Sequence, residues 1–247
     1  MKIGAIIQAR MGSSRLSGKV MKLLKGKTVL EHVINRVRLS NLIDVIIVAT
    51  TTLERDNIIE AESKRCGAEV FRGSEDDVLS RYYYAAKKHN LDAVVRITSD
   101  CPLIDSYVLD SIINCFLKGT FDIVSNASAE PSQRTFPRGL DVEVFTFRML
   151  EDTFNLATEK YQREHVTPFI YEKSQLVFYY KNDVDYSKYR LTLDTEEDYQ
   201  LISTIYDRLY TEYGTFNLKE IIQLFIDDPS LFNLNAHIEQ KKLNNKE

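Results

Sequence analysis

The sequence predicts an α/β domain, a parallel β-sheet with helices on both faces. Short runs rich in Ile and Val alternate with amphipathic helical segments. The alternation repeats at about 30 residues through four strands in succession, which points to a parallel sheet rather than hairpins. At 247 residues and 44% hydrophobic, the chain can bury one large core within a single domain.

Each element follows from the local pattern. Residues 3–8 (IGAIIQ) are a buried strand, and residues 9–27, with Gly12, Gly18 and Gly26, form a long loop. Thr28-x-x-Glu31 is read as a capping box, with Leu30, Val33, Ile34 and Val37 following at helical spacing. A second buried strand lies at 45–50, then a helix at 56–66 stopped by Gly67. A short strand at 69–72 leads to a helix at 77–89, begun by the Ser74–Asp76 cluster, and to a strand at 93–98. A helix at about 105–117, capped by Asp105, and a strand at about 121–125 continue the series.

Beyond residue 126 the pattern loosens. Residues 126–139 are turn-rich, strand-like pieces stand at 140–146 and 176–181, and a helical stretch lies near 161–173. The alternation resumes with a strand near 189–193 and a helix at 195–213. We therefore expect one domain over 1–247, with an inserted lobe at about 126–188 and a polar tail at about 240–247.

Composition excludes several classes. No apolar run reaches the roughly 18–20 residues of a membrane span, and the N-terminus lacks the long apolar core of a signal peptide. Three cysteines without a CxxC spacing argue against a disulfide framework or a zinc site and fit a reducing compartment. The net charge of −4 gives no general affinity for nucleic acid, but it is unevenly spread. Residues 1–40 carry nine Lys/Arg against Glu31 alone, while the remainder carries 23 bases against 35 acids. A basic segment on an acidic body suits an anionic ligand of limited size.

The loop Gln8–Lys19 leaves the carboxyl end of the first strand, where open α/β sheets bind ligands. Gly12 and Gly18 let backbone approach an anion, Ser13 and Ser14 offer hydroxyls, and Arg10, Arg15 and Lys19 can neutralise a polyphosphate. Its spacing is neither a Walker loop nor GxGxxG. Asp100, in Thr98-Ser99-Asp100-Cys101-Pro102, ends the fourth strand and points into the same crevice; it reads as a metal carboxylate or as a turn residue. Asp194 ends the strand near 189–193 and could supply a second carboxylate, whereas Asp198 reads as part of a helix cap. Gly73 and Ser74 read either as a close approach to a base or as helix capping. In the lobe, Asp141 and Glu143 share a strand face near Arg134, Arg138, Arg163 and His165, a sugar-binding face or a solvated one. Tyr82-Tyr83-Tyr84 reads as helix packing, and Cys101 is no nucleophile because an adjacent acid raises a thiol. A glycosyltransferase Asp-x-Asp is absent at Asp100; Asp183-Val184-Asp185 has that spacing but lies late, in turn-like sequence.

IIQARMGSSRLSGKV resembles the opening of sugar cytidylyltransferases, including the synthetases that activate acylneuraminates and 3-deoxy-manno-octulosonate. With FRGSEDDVLSRYYYAA, VVRITSDCPLID, FPRGLDVEVF, REHVTPFI and LTLDTEEDY, the chain resembles the branch named for spore coat polysaccharide biosynthesis protein F. The resemblance implies a three-layer, Rossmann-like nucleotide-diphospho-sugar transferase fold with a mixed, mostly parallel sheet. It implies CTP as donor, a sugar acceptor, Mg²⁺, a cytoplasmic setting, and a homodimer built through the inserted lobe. By position, Ala9, Arg10, Gly12, Ser13, Arg15 and Lys19 would hold CTP, with Gly73, Ser74 and Arg96 near the cytidine. Asp100 and Asp194 would hold Mg²⁺, Arg10, Lys19 and Asp100 would carry catalysis, and Arg138, Asp141, Glu143, Arg163 and His165 would face the sugar. Two positions depart from the family pattern: Ser17 replaces a proline, and Thr192 stands where acylneuraminate enzymes often have an acid.

Overall fold

The central strands are apolar on both faces, which requires helices on both sides of the sheet. The computed structural model describes residues 1–13, 15–128, 131–211 and 215–239. Ser14, the tail expected at 240–247 and the last residues of the helix expected at 195–213 lie outside the described residues.

The strands are β1 (Ile3–Gln8), β2 (Leu23–Leu24), β3 (Lys27–Thr28), β4 (Val45–Thr51), β5 (Glu69–Gly73), β6 (Ala93–Thr98), β7 (Ile123–Ser125), β8 (Glu143–Thr146) and β9 (Val177–Tyr179). Seven form one sheet in the order β5-β4-β1-β6-β8-β7-β9. All pairings are parallel except those of β8, which runs antiparallel to β6 and to β7. The mixed, mostly parallel sheet is therefore as expected.

The helices are α1 (Val29–Arg38), α2 (Asn57–Arg65), α3 (Val78–Lys88), α4 (Ser106–Lys118), α5 (Phe147–Leu156), α6 (Lys160–His165), α7 (Pro168–Lys173), α8 (Glu196–Leu209) and α9 (Leu218–Asp227). Side chains alternate across each strand. Ala5, Ile7, Val48 and Val95 point to a core shared with α1, α2, α4, α8 and α9. Ile6, Ile47, Val94 and Phe145 point to a second core with α3, α5 and α7. Helix, sheet and helix make the three layers.

The segment 126–188 completes the sheet, supplying β8 and β9 and packing α5–α7 on one face. The expected strand at 140–146 is regular only from Glu143, and the helical stretch near 161–173 divides into α6 and α7. Val166 at φ +73 and Pro168 make that break. No strand forms at 189–193: Arg190 makes a single bridge with Arg138, and its neighbours bond two different loops. Leu191 N donates to Arg138 O at 2.7 Å and Leu193 N to Asp100 O at 2.8 Å. Gly139, at φ +99, lies so close to the Leu191 carbonyl that a Cβ has no room.

Caps differ from expectation in two places. Thr28 Oγ1 accepts from Glu31 N at 3.0 Å, but the Glu31 carboxylate turns to Lys27 and Arg65, so only half of the box forms. α3 is capped by Asp77, not by the 74–76 cluster; Asp77 accepts from Ser80 N at 3.0 Å. Asp105 caps α4 as expected and reaches across to Leu218 N at the start of α9.

Candidate functional site

The carboxyl ends of β1 and β6 open on a cavity of about 320 Å³. Its walls include Ala9, Arg10, Gly12, Ser13, Arg15, Lys19, Asp100, His165 and Asp194, all foreseen from the sequence. Gln8, Arg81, Thr98, Ser99 and Glu164 join them.

The 10–19 loop is pinned at its base. Ser13 N and Gly18 N both donate to Met11 O, at 2.9 and 3.3 Å, closing the loop on itself. Met11 N in turn donates to Asp56 Oδ1 at 2.8 Å, and Thr51 binds the other oxygen of this buried acid. Gly18, at φ +63, turns the chain into a short 3₁₀ segment, Lys19–Met21, that carries Lys19 into the cavity. Asp56 was not foreseen, because in the sequence it looks like one more acid near a helix start.

β6 ends at Thr98, whose hydroxyl donates to Asp100 Oδ1 at 2.5 Å. The Asp100 carbonyl accepts from Leu193 N, and Thr192 Oγ1 lies 3.4 Å from it. That tie brings Asp194, distant in sequence, beside Asp100. Lys19 Nζ then lies 2.7 Å from Asp100 Oδ2 and 2.8 Å from Asp194 Oδ1. Arg15 and Arg190 each approach Asp194 Oδ2 at 2.9 Å.

Burial acts against charge on Asp100, yet Lys19 and the Thr98 hydroxyl outweigh it and hold the carboxyl below its ordinary range. Burial likewise acts against charge on Lys19, and the two acids outweigh it, so the ammonium is held above its ordinary value. Both groups are therefore charged at neutral pH. Two carboxylates that already share one cation at hydrogen-bond distance form a donor set that fits a divalent ion. Burial and the Asp100 carboxylate push the Cys101 thiol well above its ordinary value, so it stays protonated.

The remaining predicted residues lie elsewhere. Arg96 is paired with Glu143, which also accepts from Tyr171 Oη at 2.8 Å; neither lines the cavity. Arg163 binds the α3 cap through Asp77 at 2.7 Å. Asp141 pairs with the buried Arg134 at 2.5 Å, and Arg138 is half-buried beside them. Gly73 and Ser74 adjoin Arg81, whose Nη1 donates to the Ser74 carbonyl. Asp185 binds Ser187 N, and the 183–185 pair of acids does not line the cavity. Lys22, Lys25 and Lys27 sit at the hairpin of β2 and β3 and pair with Glu196, Asp207 and Glu31.

An uncharacterised protein of Methanocaldococcus jannaschii, MJ1063, is 41% identical over 247 residues, covering 98% of this chain and 97% of that one. The spore coat polysaccharide biosynthesis protein SpsF of Bacillus subtilis is 33% identical over 235 residues, covering 91% of this chain and 94% of that one. The solved structure of a cytidylyltransferase from Leptospira borgpetersenii superposes with a TM-score of 0.88 at 36% identity, covering 98% of this chain and 100% of that one. Among the described residues no helix is long and apolar enough to cross a membrane. Residues 4–243 match the family model described as cytidylyltransferase, and the chain, with a basic loop facing two acids across one cavity, belongs to that family of enzymes.

Proposed function

We propose that this enzyme transfers CMP from CTP to a sugar hydroxyl and releases pyrophosphate, with Mg²⁺ as its cofactor. The observation that carries this reading is the meeting of Asp100 and Asp194 on Lys19 Nζ, inside a cavity walled by the 10–19 loop. Arg10, Arg15 and Lys19 bind the triphosphate and stabilise charge on the leaving pyrophosphate. Ser13, Ala9 and the backbone at Gly12 would add contacts to the nucleotide, and Gly73 and Ser74 would lie near the cytidine. Asp100 and Asp194 would hold Mg²⁺, which supplies positive charge at the phosphate under attack. The sugar hydroxyl loses its proton to solvent as its oxygen bonds to the α-phosphorus, the bond to the β-phosphate oxygen breaks, and pyrophosphate departs with that electron pair.

Glu164 and His165 bring the lobe to the cavity wall, where His165 would face the acceptor, an acidic keto-sugar; Arg138 and Arg163 do not line this cavity. The similarity to a spore coat polysaccharide protein supports a product destined for a surface polysaccharide. The family resemblance supports a homodimer formed through the 126–188 segment. Free thiols at Cys66, Cys101 and Cys115 support a reducing, cytoplasmic setting.

The test is pyrophosphate release with four nucleoside triphosphates crossed against keto-acid and amino sugars, with Mg²⁺ present. Release with CTP and one keto-acid sugar is expected. Sugar transfer from a nucleotide-sugar donor without pyrophosphate release would overturn the reading.

A further inference from the structure

Three cations converge on Asp194, and two of them come from the 10–19 loop. Arg15 Nη2 and Arg190 Nη2 each lie 2.9 Å from Asp194 Oδ2, and Lys19 Nζ lies 2.8 Å from Asp194 Oδ1. Lys19 Nζ also lies 2.7 Å from Asp100 Oδ2, while the Thr98 hydroxyl takes Asp100 Oδ1. The oxygens through which the two acids meet are thus the two that Lys19 holds. These oxygens cannot both coordinate a divalent ion while the ammonium stays, since metal–oxygen bonds of about 2.0–2.1 Å leave no room for a second cation between them.

The three cations are not held alike. Arg190 is buried and also makes two bonds to Asp198, so it is fixed. Among the described residues Arg15 and Lys19 pair with no acid but these two. Lys19 is held at the end of a four-carbon stem, which can swing without moving the backbone. Both side chains line the cavity with Arg10, Gly12 and Ser13, the walls assigned above to the triphosphate. Charge also balances: two carboxylates that give up two single positive charges can take one double charge in their place.

We infer that Lys19 is exchanged for the divalent ion: its ammonium leaves Asp100 and Asp194 for the phosphates of the incoming triphosphate and yields the space between the acids, and Arg15 follows it. Without triphosphate, an ion at this place must displace an ammonium that has no other anion to turn to. With triphosphate present, the displaced ammonium gains a new partner. Each ligand therefore strengthens the binding of the other, and by linkage the strengthening is equal in both directions. The inference rests on the metal reading proposed above and adds to it the reason that ion and nucleotide bind together.

Mn²⁺ binding tests it, read from the electron paramagnetic resonance signal of free Mn²⁺ with no nucleotide present. Wild type, Lys19→Met, Lys19→Gln and the double variant Lys19→Met/Asp194→Asn are titrated after circular dichroism has shown each to be folded. Lys19→Met and Lys19→Gln should bind Mn²⁺ about tenfold or more tighter than wild type, because a competing charge is gone. The double variant should lose that gain, which places the ion at these acids. A second arm uses wild type alone: amine acylation followed by peptide mass spectrometry. Saturating Mn²⁺ should speed the acylation of Lys19 and leave that of the exposed Lys88 unchanged. Mn²⁺ binding by the folded single variants that is no tighter than wild type overturns the exchange. So does acylation of Lys19 that saturating Mn²⁺ leaves unchanged. Absence of Mn²⁺ binding from wild type and variants alike would remove the metal reading of Asp100 and Asp194 itself, whereas binding that leaves Lys19 in place removes only the exchange.

Discussion

Arg190 grips Asp198 with two parallel bonds, Nε to Oδ1 at 2.9 Å and Nη2 to Oδ2 at 3.0 Å, and through the same Nη2 it reaches Asp194. Asp198 is fully buried and also accepts from the backbone of Asp194 and Thr195 and from Asn235. The pair thus fixes the start of α8 and the orientation of a carboxylate that faces the cavity. Removing one partner strands the other in the interior. Arg190→Gln should therefore lower unfolding free energy by about 3–5 kcal/mol, read from the denaturant midpoint. A loss under about 1 kcal/mol would show that the pair does not carry the load described.

Lys19 and Asp100 sit at the mouth of the fold, not in its apolar cores. Lys19→Ala and Asp100→Ala should each lower the rate of pyrophosphate release by about a hundredfold or more. Their circular dichroism spectra should match wild type. Near-wild-type release from either variant would falsify the assignment of the site.

On the proposal that Asp100 and Asp194 hold Mg²⁺, chelation should abolish turnover and Mg²⁺ should restore it. Asp194→Asn keeps the shape of the side chain and removes its charge. It should raise the Mg²⁺ concentration for half-maximal activity about tenfold or more. A Mg²⁺ titration curve that overlays wild type would exclude Asp194 from the metal set.

His32 is buried under Tyr206 and Tyr210, and its Nε2 donates to Leu24 O at 2.8 Å, since a carbonyl can only accept. Burial holds its pKa below the ordinary value of about 6.5. The unfolded chain then binds a proton more readily than the folded one, so stability rises with pH across that window. The contribution of neutral His32 is complete above about pH 6.5 and is lost as pH falls through the folded value. Melting temperatures between pH 7.5 and 5 should decline for wild type and decline less for His32→Gln. Parallel profiles would remove His32 from the acid response.

The parallel half of the fold was legible because its strands are continuous apolar runs. Ile3–Gln8, Val45–Thr51, Glu69–Gly73 and Ala93–Thr98 fall within a residue or so of their expected ends. Beyond residue 126 the signal weakens because bonding partners there are loops distant in the sequence. Residues 189–193 alternate like a strand but divide their bonds between Arg138 and Asp100. α5 and α9 escaped notice, although Thr146 caps one and Asn217-x-x-Glu220 forms a full capping box on the other. In the site, the basic loop and Asp100 were readable from their position after strands. Arg81 was not, since nothing in a helical run of tyrosines says that its arginine turns inward.

The reversed strand β8 has a consequence for the order in which the chain can fold. Among the described residues β7 pairs with β8 and β9 alone, and it meets β6 through β8. During synthesis β1, β4, β5 and β6 can therefore assemble in that order, each beside a strand already made. β7 emerges next with its backbone groups unanswered until at least residue 146 has followed. The Ile123-Val124-Ser125 edge is thus the part of the nascent sheet open to wrong pairing, and β8 is the strand that closes it.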